Sequence, residues 1–109
     1  VKRIYIIVML TLLMGCAGSQ THLRILESGG DIRTELSDTD EYDYKVYIKN
    51  TIDFGWDGGD EKDRLNAVQM MFKDSCRSVD VLEQTPIHRG EYGIGKEAIT
   101  WVMKVKCTR

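Results

Sequence analysis

The sequence predicts an α+β fold: a small, mainly antiparallel sheet with one amphipathic helix packed across it, in the order β(β)βαββ. Two segments alternate apolar and polar residues with the period of a half-buried strand, Tyr42, Tyr44, Val46 and Ile48 in the first, Ile99, Trp101, Met103, Val105 and Cys107 in the second. Between them Leu65, Val68, Met71, Phe72 and Cys76 recur at helical spacing. Asp60 precedes that stretch as a capping residue, with Glu61 and Asp63 in the positive first turn. At 109 residues, 42% hydrophobic and 29% charged with a single proline, the chain is limited to one domain and excluded from the collagen-like, disordered and coiled-coil classes.

Taken in order, residues 17–22 are small and polar and predict a tether. Leu23, Arg24, Ile25 and Leu26 predict a short strand or more linker, and Ser28, Gly29, Gly30 and Asp31 a turn. Ile32, Thr34 and Leu36 alternate with Arg33 and Glu35 as a second short strand, followed by an acidic loop over 37–41. The strand that begins at Tyr42 keeps its parity through Asn50, Ile52, Phe54 and Trp56. Fifteen residues of strand would run ~50 Å at ~3.3 Å per residue, too long for a domain with an expected radius of gyration of ~13 Å. A bend is therefore expected near Asn50 and Thr51 or at Gly55, with Phe54 and Trp56 folding over the core edge. After the helix, Val79, Val81 and Leu82 open a strand expected to stop before Pro86, and 87–96 is expected to be a glycine-rich loop. The last two strands pair antiparallel. The strand before the helix then lies parallel to the one after it through a right-handed crossover, or two antiparallel hairpins form with the helix outside.

The N-terminus carries Lys2 and Arg3, an eleven-residue run over 4–14 that is apolar apart from Tyr5 and Thr11, and then Gly15, Cys16, Ala17 and Gly18. The run is shorter than the ~20 residues a spanning helix needs and has the layout of an export signal. With Leu13 three residues before Cys16 and Gly15 directly before it, this segment resembles a bacterial lipoprotein precursor; Met14 departs from the smaller residue usual there. The resemblance covers the signal and a short tether only. It implies diacylglycerol on the Cys16 sulfur, cleavage before Cys16 and acylation of the new amino group, which together anchor the chain stably to a membrane. Ala17, rather than Asp, after the lipidated cysteine resembles a lipoprotein released to the outer membrane. The expected organisation is a signal peptide over 1–15, lipidated cysteine and tether over 16–22, and one small domain over 23–109.

With Cys16 used for lipid, Cys76 and Cys107 remain in an oxidising compartment and are expected to form a disulfide. The strand parity allows Cys107 to meet Cys76 at the helix end.

No catalytic residue, metal site or cofactor is expected. Gly90, Gly95 and Lys96 match GxxxxGK, but the segment that follows has strand parity rather than opening a helix, and Glu97 replaces the magnesium-binding hydroxyl, so no nucleotide is expected. Asp38, Asp40, Glu41 and Asp43 lack the glycine of a calcium loop, since Asp43 stands at its place. A net charge of −2 leaves no basic footprint for nucleic acid. That near-neutral total hides eleven acidic and four basic residues over 31–63 and five acidic and eight basic over 64–109, a polarity that can orient a protein partner.

The expected function is that of a membrane-anchored envelope lipoprotein whose periplasm-facing domain is a non-enzymatic protein-binding or assembly module. Arg89, Tyr92, Ile94 and Lys96 form the candidate partner-binding loop, and the partner is an envelope protein. The alternatives are an envelope-stress sensor or regulator, and an inhibitor of a foreign hydrolase acting through the 87–96 loop.

Overall fold

The computed structural model describes residues 17–93 and 95–109; the signal-peptide stretch, Cys16 and Ile94 lie outside the described residues. Among the described residues the elements are α1 (Gln20–Ser28), β1 (Ile32–Leu36), β2 (Tyr44–Lys49), β3 (Ile52–Asp53), β4 (Trp56–Asp57), α2 (Glu61–Phe72), β5 (Ser78–Tyr92) and β6 (Lys96–Thr108). They form a four-stranded antiparallel sheet in the order β1-β2-β6-β5 and a separate two-stranded ribbon, β3-β4.

This corrects the expectation of one helix across a single sheet: two helices cover the sheet, and a second, minimal sheet joins them. The additional helix, α1, occupies residues expected to be tether and strand. Its ends are well marked. Ser19 caps it, the side chain accepting from the His22 N–H at 3.2 Å. At the other end the Asp31 N–H donates to the Leu26 carbonyl and the Gly30 N–H to the Glu27 carbonyl, with Gly30 in the left-handed region at φ 84°, a Schellman ending. The apolar run 23–26 is too short for periodicity to separate helix from strand. Tertiary burial decides, because Leu23 and Leu26, one helical turn apart, enter the core while Ile25 stays 61% exposed.

The core lies between the helices and one face of the sheet. Leu23 and Leu26 from α1, Ala67, Val68 and Phe72 from α2, and Ile32, Val46, Ile48, Val79, Met103 and Val105 from the strands form one buried cluster with Trp56 and Cys76. The register makes this face continuous: Ile32 pairs with Ile48 and Ile48 with Trp101, while Val46 pairs with Met103. The two strands that flank the α2 connection, β2 and β5, run parallel in direction but are not neighbours, because β6 is inserted between them and pairs antiparallel with both.

Two further expectations change. The strand after α2 does not stop before Pro86; β5 continues to Tyr92, with irregularities between Val81 and Glu83 and between His88 and Glu91. Proline is tolerated because β5 is an edge strand and needs no hydrogen bond on its open side. The 87–96 segment is thus mostly the end of a long hairpin rather than a loop. Trp56 is buried as expected, but Phe54 is 85% exposed. It occupies the tight turn between β3 and β4 with φ 49°, followed by Gly55 at φ 82°. A two-residue hairpin turn favours positive φ at both positions; glycine adopts it freely, whereas a side chain such as phenylalanine costs on the order of 1 kcal/mol there.

On α2 the buried stripe includes Arg64, which the apolar pattern could not signal. Its guanidinium lies 3.8 Å from the Trp101 ring centroid. Nε and Nη2 donate to the Gln84 side chain and Nη1 to the Gly58 carbonyl at 3.2 Å. Burial pushes its pKa down, opposed by Glu61, Asp60 and Asp57. The side chain ties α2 to β5, β6 and the turn before α2. Cys76 and Cys107 form a disulfide, Cα atoms 5.5 Å apart, joining the end of α2 to β6.

Candidate functional site

The face of the sheet away from the helices carries the side chains of opposite parity. Reading across the strands, Glu35, Lys45, Lys104 and Glu83 form one row and Arg33, Tyr47, Val102 and Thr85 the next. Glu83 binds Lys104 at 3.0 Å. This pairing holds the Glu83 carboxyl below its usual range and the Lys104 ammonium above its own. Arg33 stacks on Tyr47 at 4.1 Å from the ring centroid and pairs with Glu35 at 2.6 Å, and the Tyr47 hydroxyl donates to the same carboxylate at 3.1 Å. Arg33 and Tyr47 are therefore held in place before any ligand arrives.

Beyond Thr100, β6 has no β2 residue opposite it and pairs with β5 alone, so the end of the hairpin is a two-stranded ribbon. Asn50 secures its base. The Asn50 N–H donates to the Ile99 carbonyl, its side-chain Nδ2 donates to the Glu97 carbonyl at 2.8 Å, and its Oδ1 accepts from the Ile99 N–H at 3.1 Å. Asp43 performs the same service at the other end of β2, its carboxylate accepting from the Cys107 N–H at 2.7 Å. One side chain at each end thus extends the ladder of a six-residue strand along a thirteen-residue neighbour. Asn50→Ala is expected to cost about 1 kcal/mol, since the half-buried Ile99 N–H loses its partner. Urea unfolding measures that cost, and faster amide exchange at Ile99 locates it at the ribbon base.

Between the ribbon and the open sheet face lies a groove of about 450 Å³, lined by Arg33, Tyr47, Lys49, Arg89, Glu91 and Tyr92 among others, with Ala98 and Thr100 on its floor. Among the described residues Asp31, Lys49, Arg89 and Glu91 line this groove without an ion-pair partner. The groove therefore offers two cations, two carboxylates and two phenol rings to a ligand. Of the residues expected from the sequence, Arg89 and Tyr92 line it, and Lys96 sits beside it with Nζ 5.9 Å from the Tyr92 ring centroid; Ile94 is outside the described residues. Arg33, Tyr47 and Lys49 lie outside the loop that the sequence marks as the site, although strand parity places them opposite the core. Sequence alone could not show that the ribbon meets that face.

No protein-family model, curated protein or solved structure matches this chain.

A second, wider hollow of about 600 Å³ lies where the chain enters the domain, lined by Ala17, Gly18, Trp56, Ala67 and Met70 among others. Next to it His22 is buried, accepting at Nδ1 from the Gly18 N–H at 2.9 Å, with Nε2 2.8 Å from an Asp53 oxygen. The first contact leaves the proton of the neutral ring on Nε2, where it donates to Asp53. Among the described residues no three His, Cys, Asp or Glu side chains converge as metal ligands, and no helix is long and apolar enough to cross a membrane.

Proposed function

We propose that this chain is a lipid-anchored protein of the bacterial envelope, held through Cys16 in the outer membrane and facing the periplasm. Its domain acts as a non-enzymatic module that binds or assembles with an envelope protein. The groove between the ribbon and the open sheet face supports the binding role. Its aromatic side chains and most of its charged ones are carried on paired strands, and Asp31, Lys49, Arg89 and Glu91 leave both signs of charge unmatched. Such a surface suits an extended polypeptide carrying complementary charges. The address at the N-terminus supports the location.

A photo-cross-linker at Lys96, beside the groove, tests the reading in native envelopes. An envelope protein is expected in the cross-linked product, with at least a tenfold lower yield for the Arg89→Glu, Tyr92→Ala double variant. An equal yield from the double variant, or no envelope protein at all, would sink the proposal. The projecting ribbon also favours a second reading, an inhibitor whose tip enters a hydrolase. In that case scrambling 89–96 abolishes inhibition while the fold is retained.

A further inference from the structure

We propose that the β3-β4 turn is a membrane-docking element, placing Phe54 and Ile52 in the interfacial layer of the bilayer that holds the lipid on Cys16. The inference rests on the lipid-anchor reading above and adds how the domain sits on the membrane.

The distance from anchor to domain decides the geometry. Gly18 belongs to the folded unit: its N–H donates to the buried His22 ring, and a Cβ at its position would lie 3.7 Å from Trp56 Cδ1. Ser19 caps α1 directly after it. Only Ala17 separates Gly18 from Cys16. Two peptide units span at most about 7.6 Å between Cα atoms, so a lipidated Cys16 at the bilayer surface holds Gly18 at that surface as well. The domain is seated on the membrane instead of hanging from a long tether.

The surface around this point is apolar and exposed. Of the five large hydrophobic residues most exposed among the described residues, three lie on the two elements that meet at His22: Phe54 at 85%, Ile25 at 61% and Ile52 at 59%. The Phe54 ring is 6.1 Å from the His22 ring, and Ile25 is one turn further along α1. Phe54 gains little burial within the domain, and its left-handed backbone works against the fold. Strained backbone of this kind concentrates at sites that bind, and an exposed aromatic ring is favoured at a lipid–water interface. The partner is a lipid surface of low negative charge, because Asp53 and Asp57 flank the turn. The docking is an apolar insertion beside an acyl anchor, without a basic patch.

The test uses the full acylated protein in phosphatidylcholine vesicles, with its disulfide formed. A nitroxide is attached at Phe54→Cys or, as reference, at Leu82→Cys on β5. The label at 54 is expected to be several-fold less accessible to a water-soluble nickel chelate than the label at 82, and more accessible to oxygen. In protein labelled at Ile52→Cys, adding Phe54→Gly is expected to return nickel access toward that at 82. It should also raise the unfolding temperature by roughly 4 °C, because the turn strain is relieved. A residue that served only the fold would not change the depth. Equal nickel access at 54 and 82 with Cys16 acylated overturns the docking and leaves the anchor intact. Mass spectrometry showing no lipid on Cys16 overturns both.

Discussion

Gly58→Ala is expected to destabilise the domain by about 3 kcal/mol or more, near the upper end for overpacking. A Cβ at Gly58 would lie 2.0 Å from the Lys49 carbonyl oxygen, 3.1 Å from the Lys49 carbonyl carbon and 3.1 Å from Ile48 Cγ2. The first two are backbone atoms, so no rotamer change relieves the clash. The turn before α2 must cross the end of β2 at backbone contact distance, which is why the position is glycine. The Gly58 N–H donates to the Thr51 carbonyl, and its own carbonyl receives Arg64 Nη1. Moving the turn aside to admit a methyl group therefore also loosens the Arg64 clasp on Gln84 and Trp101.

The adjacent glycine supplies the control. A Cβ at Gly59 would meet the Asp57 carboxylate at 3.1 Å, a side chain that can move, and Asn50 Cβ at 3.4 Å. Gly59→Ala is expected to cost about 1 kcal/mol. Urea unfolding of the two variants side by side measures the difference. Equal losses would mean that the crossing is not as tight as the contact with Lys49 requires.

Loss of the Cys76–Cys107 bridge should have an effect of similar size. The bridged residues are 31 apart in the chain, and a loop of that length corresponds to about 3–4 kcal/mol in the chain-entropy account. Small domains total about 5–15 kcal/mol, so the bridge contributes a large fraction of what holds this one. It joins the end of α2 to β6, and Val79, the residue paired with Cys107, lies in the core cluster beside Cys76. Cys76→Ser, Cys107→Ser and the double variant are expected to lose the same amount, because each removes one cross-link. The urea midpoint of the oxidised protein, compared with that of the protein in dithiothreitol, reads the same quantity. A difference below about 1 kcal/mol would show that the unfolded chain is already confined without the bridge.

Much of the covered face was legible in the sequence, since it depends on short-range rules. Alternation around Val46 and Ile48 and around Met103 and Val105 put these residues inside, and all four are buried. Asp60 caps α2, its carboxylate accepting from the Lys62 N–H at 3.2 Å. Residues 23–26 were ambiguous because four apolar-rich positions satisfy either period; Ser19, Gly29 and Gly30 were the available signals for a helix. Arg64 was unreadable for a different reason. A buried guanidinium is stabilised by an aromatic ring and acceptors from three other segments, and none of these is visible from its own helix.

The candidate groove shows the same division. Arg89, Tyr92 and Lys96 stand out in the sequence because glycines at 90, 93 and 95 mark a loop there. Arg33, Tyr47 and Lys49 come from strands forty or more residues away and join them only because β6 lies between β2 and β5.

The sequence by itself determined the inward parity of the two central strands, β2 and β6, and where α2 begins, because alternation and capping act over a few residues. Only the tertiary structure decided that residues 20–28 are helix, that the glycine-rich segment is a ribbon over an open sheet face, and that Phe54 stands exposed beside the start of the folded chain. Each of these depends on what a distant segment buries, and no local pattern records that.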